Sequence, residues 1–270
     1  GRSGKKMNDR LAEVLNSKKK KLFLPYLTFG YPNIPVFLDL LRVCQNQGAD
    51  AIEIGIPHSD PVADGPVLQE ASYHALKNGI TPKMIPEVLT SYKFEVPLIA
   101  MTYGNIVYRY GIEPFGCEYS QAGFQGLIVA DFPLEANHFL QPLKDSLSVV
   151  ILASPNTSTE RLLNIGKQSR GFIYIVSGKG ITGKTTIIIE QILPVVTTLR
   201  KTASIPLLIG FGVSSPDIAR ELATIADGVI VGSAIVNFVT QNFNKPQFLG
   251  DFAQYLSQYR QALGQLSENE

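Results

Sequence analysis

Eight short apolar segments recur along the chain, and most are followed by a longer stretch with helical periodicity. They are predicted to be strands at residues 22–27, 51–56, 98–102, 126–130, 149–153, 172–176, 206–210 and 228–231. Most of them are apolar throughout instead of alternating, which is typical of parallel strands covered on both faces. Eight strand–helix units predict an α/β protein with a single (β/α)8 TIM barrel; the alternative is an open, doubly wound sheet.

The stretches between these segments have the apolar spacing of helices that pack on a sheet. Helices are predicted at residues 36–47, 68–78, 84–92, 136–145, 159–169, 190–201 and 215–222, with a closing helix at 245–263. Ser215-Pro216 and Thr81-Pro82 are typical helix starts, because an N-cap residue precedes a proline at the first helical position. Gly264 is expected to end the closing helix.

The composition argues against several classes of protein. The 270 residues carry 24 Lys and Arg against 23 Asp and Glu, so the net charge is +1. This balance argues against nucleic acid or an anionic membrane as the main partner. The three histidines have no neighbours at metal-ligand spacing, and no apolar run reaches the roughly 18 residues of a membrane helix.

The two ends and the cysteines bear on domain organisation and location. Residues 1–6 are expected to be the remnant of an expression tag, which leaves residues 7–270 as a single domain. Cys44 and Cys117 are too few for a disulfide scaffold. Two isolated thiols fit a reducing compartment, so we expect a bacterial cytoplasmic protein.

One carboxylate lies in the middle of an apolar strand. Glu53 stands between Ile52 and Ile54 in the second predicted strand, and TIM-barrel active sites lie at the carboxyl ends of the strands. A buried glutamate is ordinarily paired with a basic group, but every arginine lies in a predicted helix, a connection or a terminus. An inward glutamate without a partner should have a raised pKa, which suits a general acid or base.

A polar loop with two more carboxylates follows this strand. It contains Asp60 and Asp64 and is rich in proline and glycine. Asp60-Pro61 and Asp64-Gly65 are both common turn pairs, so either aspartate alone fits a rigid turn. Two carboxylates beside Glu53 favour a functional loop. His58 is interpreted as a loop or interface residue and not as a catalyst.

Glycine-rich segments follow the last three predicted strands. Residues 177–183 read SGKGITG, Gly210-Phe211-Gly212 follows the seventh strand, and Gly232-Ser233 follows the eighth and opens a short helix. Barrels often bind phosphate with backbone N–H groups in this region and with the N-terminus of a short helix. The three segments together predict a phosphorylated ligand.

One of these segments also fits the Walker A pattern of P-loop ATPases, from Gly178 through Gly183, Lys184 and Thr185. Three features count against this alternative. The motif follows the sixth strand instead of opening the sheet, and no later predicted strand ends in aspartate. Residues 185–189 are also β-branched and are expected to form a poor first helical turn.

Taken together, these motifs resemble the alpha subunits of tryptophan synthase from residue 22 to residue 263. The most specific stretch is IEIGIPHSDPVADGP at residues 52–66, and further matching segments are 25–30, 103–105, 129–133, 180–183, 210–214 and 232–236. The resemblance implies a lyase that cleaves indole-3-glycerol phosphate to indole and glyceraldehyde 3-phosphate by a retro-aldol reaction. The alternatives are another phosphate-binding barrel enzyme or a catalytically silent regulator of a beta subunit.

The resemblance also implies roles for individual residues. Glu53 matches the family's acid/base, Asp64 matches the carboxylate that hydrogen-bonds the indole N–H, and Tyr174 matches a tyrosine near Glu53. By the same comparison the indole slot is walled by Tyr26, Met101, Ile128 and Phe211, the phosphate is held by Gly183, Gly212, Gly232 and Ser233, and Thr182 meets Asp64 when its loop closes.

The resemblance implies no cofactor for this subunit, because pyridoxal phosphate belongs to the beta subunit. It implies an alpha2-beta2 heterotetramer in which Asp60, Pro61 and Asn105 contact the beta subunit, and a small phosphorylated substrate. The chain departs from the family at four positions: Gly178 stands where Arg is usual, Lys179 and Lys184 lie nearby, and His58 stands where Phe is common.

Overall fold

The computed structural model describes residues 9–132, 134–177 and 184–264. Its eight strands form a closed barrel in chain order, and every neighbouring pair is parallel. The strands are β1 (Leu22–Thr28), β2 (Ile52–Gly55), β3 (Leu98–Thr102), β4 (Phe124–Val129), β5 (Ser148–Ala153), β6 (Ile173–Ile175), β7 (Leu207–Ile209) and β8 (Gly228–Val231). The prediction of a TIM barrel is confirmed, and the open sheet is excluded.

Helices surround the barrel and also close one end of it. They are α1 (Arg10–Asn16), α2 (Ile34–Asn46), α3 (Pro66–Lys77), α4 (Met84–Leu89), α5 (Gly104–Tyr110), α6 (Ile112–Gln121), a 3-10 helix (Leu134–Asp145), α7 (Thr159–Gln168), α8 (Thr185–Arg200), α9 (Pro216–Leu222), α10 (Ser233–Asn242) and α11 (Phe248–Ala262). Within the described ranges, no helix is long and apolar enough to cross a membrane.

The first helix, α1, plugs the amino-terminal end of the barrel. Leu11 and Leu15 are fully buried and belong to the same apolar cluster as the interior residues of the strands. Asp9 caps this helix and also accepts hydrogen bonds from the Ser148 hydroxyl and the Gly171 N–H, both at 2.7 Å. The interior of the barrel is therefore sealed at this end, and its open end is formed by the carboxyl termini of the strands.

A buried arginine fastens the last helix to this same end of the barrel. The Arg260 guanidinium donates to Asp50 Oδ2 at 2.9 Å and to the backbone carbonyls of Lys21 and Gly48 at 2.6 and 3.2 Å. Asp50 Oδ2 also accepts from the Phe23 N–H at 2.9 Å. One ion pair thus joins α11 to the start of β1 and to the connection before β2.

The helix predictions were incomplete or misplaced in several places. The predictions contain no helix where α1, α5 and α6 lie, and residues 136–145 lie in the 3-10 helix instead of an α-helix. The start at Thr81-Pro82 is wrong, because α4 begins at Met84, whereas Ser215 does cap α9 by accepting from the Ile218 N–H. Gly264 follows α11 with a positive φ of 91°, as predicted.

The helix that follows the Walker-type sequence begins where its residue types predict poor helix formation. We expected residues 185–189 to be a poor first turn, but α8 begins at Thr185. Ile192, Val195 and Leu199 lie on the buried apolar face of α8. The packing of this face outweighs the low helix propensity of the β-branched residues. The closed barrel itself argues against the ATPase, because the P-loop belongs to a strand–loop–helix unit of an open sheet.

Candidate active site

A cavity of about 920 Å³ opens at the carboxyl ends of the barrel strands. It lies at the end opposite to α1, where barrel active sites occur. Ten of the twelve residues predicted to act on or bind the substrate line it: Tyr26, Glu53, Asp64, Met101, Ile128, Tyr174, Phe211, Gly212, Gly232 and Ser233. Thr182 and Gly183, together with Gly178 and Lys179, fall outside the described residues.

Glu53 projects into this cavity from β2. Its side chain is 1% exposed, and Oε2 has no hydrogen-bond partner among the described residues. Burial and the nearby Asp64 carboxyl raise the pKa of Glu53 to about 8. A raised pKa is what the sequence predicts for an inward glutamate without a basic partner. At neutral pH the group is therefore mostly protonated and can donate a proton.

Asp64 reaches the same cavity from the loop after β2. Its Oδ1 atom is buried, with no hydrogen-bond partner among the described residues. Burial raises the pKa of Asp64 to about 6, although the nearby Tyr103 hydroxyl and His58 ring lower it. The two acids therefore differ at neutral pH, because Asp64 is mostly ionised while Glu53 is mostly protonated.

Two tyrosines flank Glu53 inside the barrel. Tyr26 is its neighbour on β1, and the Tyr26 hydroxyl lies 3.3 Å from the Thr28 hydroxyl. The Tyr174 hydroxyl donates to the Gly210 carbonyl at 3.3 Å. Burial raises the pKa of both phenols well above the ordinary value, so both are neutral donors. A Cβ at Gly210 would overlap the Tyr174 ring, so only glycine leaves room for this tyrosine.

Apolar side chains cover the deep part of the cavity between these polar groups. Met101, Ile128 and Phe211 lie there as predicted lining residues. The sequence reasoning missed Leu152, Val176 and Ile230, which continue the apolar wall on β5, β6 and β8 or just beyond their ends. Inward-facing positions on alternate strands would have identified Leu152 and Ile230 once the barrel was assumed. A flat aromatic ligand suits this surface.

The shallower part of the cavity is bounded by glycines and a helix N-terminus. Gly212 and Gly232 line it, and α10 begins at Ser233 with no side chain capping its first turn. Unpaired N–H groups and the positive end of the helix dipole suit an anion such as phosphate. Asn237 and Gln241 follow Ser233 at four-residue spacing on α10 and also line the cavity. Sequence reasoning missed both, although this spacing is visible in the sequence.

The three residues predicted to contact a partner lie outside this lining. Asp60 and Pro61 are on the loop after β2, and Asn105 is in the first turn of α5. His58 joins the two segments, because its Nδ1 accepts from the Asp60 N–H at 2.8 Å and its Nε2 lies 3.0 Å from Asn105 Oδ1. The structure thus places all three at one rim of the barrel, beside the cavity.

The side chains do not suggest a metal centre in the part of the chain that is described. Among those residues, no group of three or more His, Cys, Asp or Glu is placed to hold a metal ion. What the cavity offers is a proton donor, an ionised carboxylate, an apolar slot and a backbone anion site. This combination can protonate an aromatic ring and stabilise the resulting positive charge.

Comparison with known proteins gives a consistent result. Residues 12–263 match the family described as "Tryptophan synthase alpha chain". The chain is 41% identical to the tryptophan synthase alpha chain of Petrotoga mobilis over 86% of this chain and 91% of the relative. It is 39% identical to that of Dehalococcoides mccartyi over 91% of this chain and 96% of the relative.

Solved structures agree with the sequence comparison. The tryptophan synthase alpha subunit of Legionella pneumophila superposes with a TM-score of 0.85 at 33% identity, covering 94% of this chain and 98% of that one. A chain from the aminoacrylate-bound form of Mycobacterium tuberculosis tryptophan synthase gives a TM-score of 0.83 at 30% identity, covering 95% of this chain and 100% of that chain.

Proposed function

The chain belongs to the tryptophan synthase alpha chain family, and we propose that Glu53 and Asp64 are the two groups through which it acts. Alpha chains are carbon–carbon lyases that cleave indole-3-glycerol phosphate to indole and glyceraldehyde 3-phosphate. The observation that carries the proposal is the pair of carboxyls in one cavity, whose pKa values are raised to about 8 and about 6. Their different values give each group a different task at neutral pH.

In the first step, protonated Glu53 gives its proton to C3 of the indole ring. The ring becomes an indoleninium cation, which can accept the electrons of the carbon–carbon bond to the side chain. Ionised Asp64 accepts a hydrogen bond from the ring N–H and stabilises the positive charge where it develops. Oδ1 of Asp64 has no donor among the described residues, which supports this role, because a buried acceptor without a donor is costly unless a ligand supplies one.

In the second step, a base removes the proton from the side-chain hydroxyl next to the bond that breaks. The hydroxyl carbon becomes the aldehyde of glyceraldehyde 3-phosphate, and the bonding electrons return to C3 and restore the neutral indole. Glu53 is the group we assign to this transfer as well, because it has become a carboxylate by giving up its proton. Tyr174 and Tyr26 are neutral phenols beside it, and they fix its surroundings.

The ends of the substrate fit the two parts of the cavity. The indole ring lies in the apolar slot formed by Tyr26, Met101, Ile128 and Phe211. The phosphate is bound by the backbone around Gly212, Gly232 and Ser233 and by Gly183, while Thr182 meets Asp64 when its loop closes; Gly183 and Thr182 lie outside the described residues. The uncapped first turn of α10 supports this assignment.

A beta subunit is the partner that we propose for the rim beside this cavity. Asp60, Pro61 and Asn105 are the contact residues proposed, and an alpha2-beta2 heterotetramer is the expected assembly. The exposed Val62 and Tyr108, at 70% and 79% exposure on the same loop and on α5, support an apolar contact there. The chemistry above needs no cofactor from this chain, and pyridoxal phosphate is expected in the beta subunit alone.

The proposal is tested by an indole-release assay on the purified chain, with and without a tryptophan synthase beta subunit. We expect indole and glyceraldehyde 3-phosphate in equal amounts from indole-3-glycerol phosphate, at a higher rate when the beta subunit is present. Ribulose phosphates should not react. Turnover of ribulose phosphates would instead indicate another phosphate-binding barrel enzyme, and no indole in either mixture would indicate a silent regulator.

A further inference from the structure

The side chain of His58 bridges the two segments of the partner rim, which consists of Asp60, Pro61 and Asn105. Its Nδ1 accepts a hydrogen bond from the Asp60 N–H at 2.8 Å, and its Nε2 lies 3.0 Å from Asn105 Oδ1. The second contact joins residues that are 47 positions apart in the chain. Among the described residues, it is the one hydrogen bond between the loop after β2 and α5.

These two contacts fix which ring nitrogen of His58 carries the proton. A backbone N–H can only donate, so Nδ1 is the nitrogen with a free lone pair. In the neutral ring the proton is then on Nε2, which donates it to Asn105 Oδ1. His58 therefore offers one acceptor and one donor, and each of them is matched to a different residue of the partner rim.

The ring of His58 is supported by the buried side chain of Tyr103. The centroids of the two rings are 4.6 Å apart, and the ring planes are tilted by 33°. Tyr103 is 3% exposed and is the N-cap of α5, and its hydroxyl accepts from the Ala63 N–H at 3.0 Å. The bridge therefore rests on a residue at the end of β3, which the barrel holds in place.

The bridge lies beneath a surface that is open in the free chain. Asp60 and Asn105 are exposed, as are the neighbouring Val62 and Tyr108. Ordering a mobile loop on binding costs free energy that is taken from the affinity. A loop that is already tied to α5 before the partner arrives avoids most of this cost.

We propose that His58 is a positioning residue for the partner rim, which holds Asp60 and Asn105 together in the free chain and so prepares this surface for a tryptophan synthase beta subunit. The inference rests on the partner proposed above, and it concerns association and not the chemistry at Glu53. When only a fraction of the free molecules has the competent surface, the apparent Kd rises in proportion. The loss then appears mainly as slower association, whereas the loss of a direct contact appears mainly as faster dissociation.

The test is the binding kinetics of the His58→Phe variant with the beta subunit of the same organism, measured by biolayer interferometry. Phenylalanine keeps a ring against Tyr103 but has neither nitrogen. We expect the Kd to rise about tenfold, as for the loss of two hydrogen bonds, with most of the change in the association rate constant. His74→Phe is the matched control, because the His74 ring is 48% exposed in the last turn of α3 and lies 3.7 Å from Glu70 Oε1. Its rate constants should equal those of the wild type.

Two conservative variants separate the two hydrogen bonds. His58→Asn keeps an acceptor near the position of Nδ1 for the Asp60 N–H, and His58→Gln keeps a donor near the position of Nε2 for Asn105. Each should associate faster than His58→Phe and more slowly than the wild type, and the comparison with the wild type serves as the test if His58→Phe does not fold. Association rate constants equal to that of the wild type, or a loss confined to dissociation, would overturn the role of His58.

Measurements on the chain alone separate this inference from the proposed function. The nitrogen-15 NMR shifts of the His58 ring at pH 8 should show that Nδ1 carries no proton. In His58→Phe the Asp60 amide should exchange with solvent about tenfold faster, because its hydrogen bond is lost. A proton on Nδ1, or unchanged exchange, would overturn the bridge itself. A wild type that has the bridge but does not bind the beta subunit would instead overturn the proposed partner, and the docking role of His58 with it.

Discussion

Glu53→Gln is expected to lower the rate of indole release by about 10³-fold, since general acid–base catalysis is worth about 10²- to 10⁴-fold. Glutamine keeps the size and polarity of the side chain, but it has no proton to transfer to C3 of the ring and cannot take one from the hydroxyl. Substrate binding depends mainly on the slot and the anion site, so KM should change little. Steady-state kinetics at pH 7 on the purified variant measure both quantities.

The stability of this variant distinguishes lost chemistry from lost structure. The pKa of Glu53 is raised in the folded protein, so the folded state holds a proton that the unfolded chain releases between pH 4.5 and about 8. The free energy of unfolding therefore falls as the pH rises through this window. Glutamine does not ionise, so the variant does not lose stability in this way. We expect the melting temperature of Glu53→Gln at pH 8 to equal or exceed that of the wild type.

The matched control is Glu95→Gln, which changes an exposed carboxyl before β3 and should be fully active. Retained activity in Glu53→Gln would refute the assignment.

Arg260→Met is expected to destabilise the fold by about 3–5 kcal/mol, which is typical when one partner of a buried ion pair is removed. Asp50 would keep the Phe23 N–H and, as its charged partner, Lys20, whose Nζ lies 3.7 Å from Oδ1. Four backbone carbonyls would each lose the donor that Arg260 supplies. For a chain of this size the loss corresponds to a fall in melting temperature of roughly 10 °C. Thermal unfolding followed by circular dichroism measures it.

An exposed ion pair provides the matched control. Arg42 pairs with Asp39 at 3.0 Å on α2, but the two side chains are 62% and 40% exposed. Arg42→Met should therefore cost less than about 1 kcal/mol. Combining Asp50→Asn with Arg260→Met should recover part of the loss, because no unpaired charge then remains buried. Equal melting temperatures for Arg260→Met and Arg42→Met would show that Arg260 does not stabilise the junction between α11 and the barrel.

The strands were predictable from sequence for a physical reason. Parallel barrel strands are buried on both faces, so they appear as continuous apolar runs, and all eight predicted strands lie within two residues of the observed bounds. Helices α5 and α6 were missed because Gly104, Pro114 and Gly116 lower their helix propensity. In the folded chain α6 is stabilised because Phe115 stacks on Tyr119, whose ring packs against Phe124 on β4.

The part of the candidate site whose catalytic residues lie in one short segment was predictable from the sequence. Glu53 and Asp64 are eleven positions apart, and an unpaired carboxyl in an apolar strand already implies a raised pKa. Contacts between distant segments were not predictable. The partner of Arg260 is 210 positions away, and Tyr103 meets Ala63 from another strand. Only the closed barrel brings such residues together, so patterns within one segment of the sequence could not show these contacts.

We infer that Glu53 is protonated and Asp64 is ionised in the working enzyme, and the decisive measurement is the pH dependence of kcat/KM for indole release. The profile should be bell-shaped, falling below about pH 6 as Asp64 becomes protonated and above about pH 8 as Glu53 ionises. Asp64→Asn should lack the acid limb, which separates this limb from titration of the substrate phosphate. A wild-type profile that is flat between pH 5.5 and 8.5, or an acid limb that persists in Asp64→Asn, would show that the two carboxyls do not have these protonation states.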